Sequence, residues 1–178
     1  MHIKKLIGEK CYLSPMDIND AERFAVWLND LEVTLYTKLA PQSLSIESEK
    51  GILSSLCKEH NYSIIDKLTN QLIGSCGLLD IDHINQTAEI GIIIGDKNFW
   101  NRGYGSEALH LLLNYAFKYL NLFNIMLRVY SANEKGINCY EKIGFKKIGE
   151  RRKALIRNLQ VHNIILMDII PEDFYKTN

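Results

Sequence analysis

Three β-type segments in a row, Asn61 to Asp66, Gln71 to Ile81 and Ala88 to Gly95, are separated by turns no longer than KLTN and by the turn His83-Ile84-Asn85-Gln86. A parallel return needs a crossover of about a dozen residues or more, so connections this short force an antiparallel meander. The pattern then changes. From Tyr104 to Leu120 the apolar residues Leu109, Leu112, Leu113, Ala116 and Leu120 recur at helical spacing, and a further strand follows from Ile125 to Tyr130. A strand–helix–strand passage requires parallel neighbours and a right-handed crossover. The chain therefore makes an α/β (α+β) fold: a mixed, mostly antiparallel sheet with helices on its faces.

The flanking elements fit this plan. Lys10 to Ser14 is a short strand ending at Pro15, and Asp17 or Asn19 caps a helix carrying Ala21, Phe24, Ala25, Trp27 and Leu28. Ser45 caps a second helix with Ile52, Leu53 and Leu56 as its buried stripe, and Glu47, Ser48 and Glu49 in its first turn. Glu134 to Ile143 is another helix, and two final strands from Phe145 onward turn near Asn158. This gives about seven strands and about four helices. With no repeat, linker or composition break, residues 1–178 read as a single domain.

Lys+Arg and Asp+Glu both number 21, so no basic excess points to nucleic acid or to an anionic membrane. A local anion site is still compatible with that balance. Cys11, Cys57, Cys76 and Cys139 lie far apart without a CxxC pair and read as buried small residues in a reducing compartment. The mixed start MHIKKLIGEK and the short aliphatic runs supply neither a signal peptide nor a spanning segment, so a cytoplasmic location is expected.

The stretch FWNRGYGSEA places two glycines directly before the long helix. Unpaired N–H groups and the positive end of the dipole make a helix start an anion site, and glycine lets the backbone approach a phosphate closely. Arg102 adds a cation. A glycine-containing loop without a ligand is the plain alternative. Gly103, Gly105 and Ala108 also match a dinucleotide fingerprint, but seven residues separate Gly95 from Gly103 where that fingerprint needs a tight turn. A Walker A loop is excluded, because no Gly-Lys-Ser/Thr occurs.

AEIGIIIGDKNFWNRGYGSEA followed by SANEKGINCYEKIGF resembles the two central motifs of the GNAT superfamily of acetyltransferases, and with YLSPMDINDAERFAVWLND the chain is most similar to the RimJ/RimL-type branch. The resemblance implies a sheet splayed between the strand at Ala88–Gly95 and the strand at Ile125–Tyr130. It also implies that acetyl-CoA is the co-substrate, with no metal. The cofactor-binding residues it implies are Trp100, Asn101, Arg102, Gly103, Tyr104, Gly105 and Ser106, whose amides hold the pyrophosphate. Ile92, Ile93 and Ile94 take the pantetheine arm as an added strand. An amide in that stretch holds the thioester oxygen, and Asn133 touches the arm through its side-chain amide. The family's pattern has Gln or Arg three positions before the first glycine; this chain has Trp100.

By the same resemblance Tyr140 lies beside the sulfur, where a phenol of pKa ~10 can protonate a thiolate or stabilise it by a hydrogen bond. A core aromatic is the plain alternative. Glu89, fourteen residues before Gly103, stands where histone-acetylating members carry a general base. Its plain alternative is an edge or sheet-surface glutamate paired with a lysine. His60, His83 and His162 have no metal-ligand spacing, His110 reads as a structural residue of the long helix, and ERRKALIR reads as a solvated hairpin face. Asp30, Glu32, Glu47 and Glu49 fall on the first two helices and their connection, which line the acceptor site in this family.

The activity expected is direct transfer of acetyl to a primary amine, either a peptide or protein N-terminus or a small amine. Polyamine or aminoglycoside acetylation is the alternative, and a non-catalytic acyl-CoA-binding domain is the rival of another class. Cys139 and Cys76 have no matching His motif, which disfavours an acetyl-enzyme. The partner expected is that amine acceptor, with a homodimer as the candidate assembly and with neither nucleic acid nor membrane.

Overall fold

A computed structural model describes residues 2–176. Two compact units emerge: residues up to Leu78 together with Gly91–Tyr115, and Leu79–Ile90 together with the chain from Ala116 onward. Among the described residues no helix is long and apolar enough to cross a membrane.

The first unit opens with strands β1 (Leu6–Ile7) and β2 (Cys11–Pro15), which pair antiparallel. A 3-10 turn at Ile18–Asp20 precedes helix α1 (Ala21–Leu28), followed by the short α2 (Leu31–Thr34) and by α3 (Ile46–Leu56). Asp17 caps the 3-10 turn rather than the helix, accepting from the Asn19 amide at 3.0 Å. Ser45 caps α3 as its sequence position predicts, accepting from the Ser48 amide. β3 (Asn61–Asp66) and β4 (Leu72–Asp82) continue the antiparallel ladder from β2, and β5 (Thr87–Ile94) lies next to β4. A second 3-10 turn at Lys97–Phe99 leads to α4 (Tyr104–Tyr119).

Tyr12, Phe24, Trp27, Leu28, Leu53, Ile65 and Leu72 form the core of this unit, with Ile93 and Trp100 packed against it. The expected stripe of α3 is corrected in part. Leu53 is fully buried, but Ile52 is 39% exposed and Glu49 is 2% exposed in its stead. Burial pushes the Glu49 carboxyl above its ordinary pKa. Cys11 and Cys76 are buried as expected, Cys139 is half-buried, and Cys57 is exposed.

In the second unit the start of β5 runs parallel to β6 (Asn124–Tyr130), with Thr87–Glu89 opposite Asn124–Met126. Their pairing is confined to those residues, as the expected splay requires. Helix α5 (Glu134–Ile143) precedes the hairpin β7 (Lys146–Arg157) and β8 (Gln160–Ile169), and the short α6 (Pro171–Phe174) follows. The strand order is β5-β6-β8-β7, so the last strand of the chain is inserted beside β6 with Ile125 opposite Ile169. Among the described residues there are thus eight strands and six α-helices. The additions to the expected set are β1, α2 and α6, each of two to four residues and so too short to show a hydrophobic period.

Candidate active site

In the first unit the glycine loop is built from inside outward. The Trp100 side chain points inward: Nε1 donates to the Ile94 carbonyl at 2.7 Å and the ring packs on the core. Its amide is committed too, donating to Lys97 O at 3.1 Å. This corrects the expectation that amide donors begin at Trp100. Beyond it the backbone turns through Asn101 at φ 57° and Gly103 at φ 84°, the left-handed region where glycine and asparagine are tolerated. Residues 101–103 are exposed.

The helical ladder of α4 begins when the Glu107 amide reaches Gly103 O at 3.1 Å. The amides of Tyr104 and Gly105 precede that bond and have no acceptor within the helix, so they face outward with the positive end of the dipole. Ser106 lies in the same first turn. A Cβ on Gly105 would come no closer than 3.8 Å to Ile92 and Ile94, so the chain's own packing does not require glycine there.

The Tyr104 ring is buried and its hydroxyl donates to Asp66 Oδ1 at 2.7 Å. Burial pushes the Asp66 carboxyl up, but bonds from Thr69 and Tyr104 outweigh it and hold the group below its ordinary range. The same bond raises the Tyr104 phenol. Tyr104 therefore anchors the loop through its side chain. The Arg102 guanidinium stacks on Phe99 at 5.5 Å and Tyr104 at 5.9 Å. Ile92, Ile93 and Ile94 are all half-buried on β5.

In the second unit Tyr140 lies in the last turns of α5, its ring edge-on to Phe145 at 5.9 Å. Burial pushes its phenol up to about 12. Asn133 caps α5, its Oδ1 accepting from the Gly136 amide at 3.0 Å, which leaves the NH₂ as its remaining donor. Glu89 is held by Arg128, which donates from Nε at 2.9 Å and also from Nη2. The ion-pair alternative for Glu89 is therefore realised, with arginine in lysine's place.

The sequence reading missed Glu107 and Asp66. Both lie in legible elements, but their partners Lys10 and Tyr104 are 97 and 38 residues away.

The sequence model of the Acetyltransferase (GNAT) domain matches residues 10–146. The chain belongs to the GNAT acetyltransferase family. Like its GNAT relatives it is an N-acetyltransferase. Uncharacterized N-acetyltransferase p20 of Bacillus licheniformis is 33% identical over 93% of this chain and 97% of that protein. Spermidine N(1)-acetyltransferase of Escherichia coli (strain K12) is 28% identical over 91% of this chain and 87% of its own length. A crystal structure of spermidine N-acetyltransferase from Vibrio cholerae, in complex with CoA and spermine, shares the GNAT fold at TM-score 0.84. It is 22% identical and covers 94% of this chain and 99% of its own. Acetyl-CoA is the donor that this family binds.

Proposed function

We propose that this GNAT enzyme, in the RimJ/RimL-type branch, transfers acetyl directly to a peptide N-terminus or a small primary amine. The observation that carries the acceptor choice is the fate of the helix acids. Lys97 Nζ is 2.8 Å from Asp30 and 2.5 Å from Glu32, and Lys50 Nζ is 3.5 Å from Glu47. Glu49 is buried. A polyamine needs acids to bind its remaining cationic amines, and three of these four already have a cation. An α-amino group of pKa ~8 is also partly neutral at pH 7, whereas a lysine-like amine at ~10.4 is not.

Acetyl-CoA supplies an activated acetyl thioester. The amides of Gly103, Tyr104, Gly105 and Ser106, with Asn101 and Arg102, bind the pyrophosphate. Ile92, Ile93 and Ile94 offer backbone groups to the arm, one amide holding the thioester oxygen, and the Asn133 NH₂ donates to the arm. Tyr140 acts on the sulfur. A thiol titrates near ~8.5, so a phenol at about 12 favours donating a hydrogen bond to the departing thiolate over surrendering its proton. For Glu89 two roles were open, general base and ion-pair partner. The bidentate grip of Arg128 favours the second, because accepting a proton would require that pair to open.

Polyamine acetylation is the second reading, favoured by the spermidine acetyltransferases among the relatives. An acceptor screen with acetyl-CoA, read by thiol release, tests the choice across free-amine peptides, spermidine and aminoglycosides. Higher kcat/KM for peptides or small monoamines is expected. A spermidine preference above about tenfold that collapses with salt would overturn it.

A further inference from the structure

We propose that Lys10 is a further phosphate-binding residue for coenzyme A, and that Glu107 is the positioning residue that sets it in place. The proposal rests on the reading of the glycine loop as the pyrophosphate site. Lys10 Nζ donates to the Arg102 carbonyl at 2.9 Å and lies 3.0 Å from where a Cβ on Gly103 would stand. An ammonium has three N–H bonds. One reaches Arg102, and two remain on an exposed head group beside the outward amides of α4. A compact cation there suits a phosphate oxygen.

The placement is made by tertiary contacts. Glu107 Oε1 accepts from the amides of Lys10 at 2.8 Å and Cys11 at 3.0 Å, tying the start of β2 to the first turn of α4. Gly8 makes room for it, since a Cβ at Gly8 would lie 2.2 Å from that oxygen. The carboxylate thus does two things. It fixes the Lys10 backbone beside the loop, and it directs its own charge at peptide N–H groups in place of an incoming anion. Arg102, the cation nearest in sequence, is held by the loop itself: it stacks on two rings and donates from Nη1 to Asn98 O at 3.2 Å. Lys10, the residue just before β2, therefore supplies a second cation to the phosphate beside Arg102.

Calorimetric titration of coenzyme A and of 3′-dephospho-coenzyme A into the full-length protein tests this. Lys10→Gln should weaken coenzyme A binding roughly tenfold and reduce its sensitivity to salt. Glu107→Ala should weaken it comparably but add nothing in the Lys10→Gln background. Glu107→Gln keeps an amide oxygen for the two N–H groups and should stay within about twofold of wild type. An equal Lys10→Gln loss with both ligands assigns Lys10 to the pyrophosphate, and a loss seen only with coenzyme A assigns it to the 3′-phosphate. Unchanged affinity of Lys10→Gln for both ligands, with binding lost in the loop variant Gly103→Asp, overturns the proposal. Normal binding by Gly103→Asp would instead remove the glycine-loop reading beneath it. Should Glu107→Ala fail to fold, the Lys10→Gln titrations decide alone.

Discussion

Arg128 on β6 grips the Glu89 carboxylate on β5 with two donors, two residues beyond Met126, which stands opposite Glu89 in the parallel register. The carboxylate in turn raises the guanidinium further above its already high pKa. A carboxylate gripped this way is fixed in orientation by its partner, and taking a proton from the acceptor would require the pair to open. Glu89→Gln should therefore leave the alkaline-rising limb of the pH–rate profile with its midpoint unchanged. It should lower stability by no more than about 1 kcal/mol, the scale of a partly exposed pair. Loss of the limb would return the base role to Glu89.

Tyr140→Phe should lower kcat roughly 10–1000-fold while coenzyme A affinity stays near wild type, because the hydroxyl matters as sulfur becomes thiolate. Since burial pushes the phenol up from its ordinary 10.0 to about 12, wild-type kcat should show no decline from its ionisation below about pH 10. Single-turnover rates across pH, with chemistry limiting, check both statements.

Gly103→Asp should abolish coenzyme A binding. Its backbone sits at φ 84°, where a side chain is strained, and the new carboxylate would stand beside Lys10 Nζ, competing with phosphate for that cation. Calorimetry on the folded variant reads the result.

Lys97→Gln should release Asp30 and Glu32 from their shared cation, which now holds the Asp30 carboxyl below its ordinary range. The ratio of kcat/KM for spermidine to that for a short peptide should rise a few-fold at low salt and fall back at high salt. A ratio unmoved at both salts would place these acids outside acceptor selection.

Cys11 is pushed up from 9.0 to about 12, first by burial and then by the charge and hydrogen bond of Glu107. A raised folded-state pKa means that its contribution is fully present below about pH 9 and is lost as pH rises toward about 12. Denaturant midpoints should fall across that window, with a slope contribution of at most about 1.4 kcal/mol per pH unit. Cys11→Val should show a shallower fall.

What the sequence determined is what neighbours a few residues apart decide. KLTN and the turn at His83–Gln86 forced the meander, the Leu109–Leu120 period forced α4, and Ser45 stopped α3 at its start. The glycine loop before α4 was legible because its glycines, its arginine and its helix are contiguous. Tertiary structure decided which charges meet. Asp30, Glu32, Glu47 and Glu49 read alike along the chain, yet two share Lys97, one meets Lys50 and one is buried. Lys10 and Glu107 are separated by 97 residues and by the whole meander, and no period or motif relates them. Their bond exists because β2 and α4 come together when the sheet closes on its core. A charge has no sequence period, so its partner is set by strand order and packing alone.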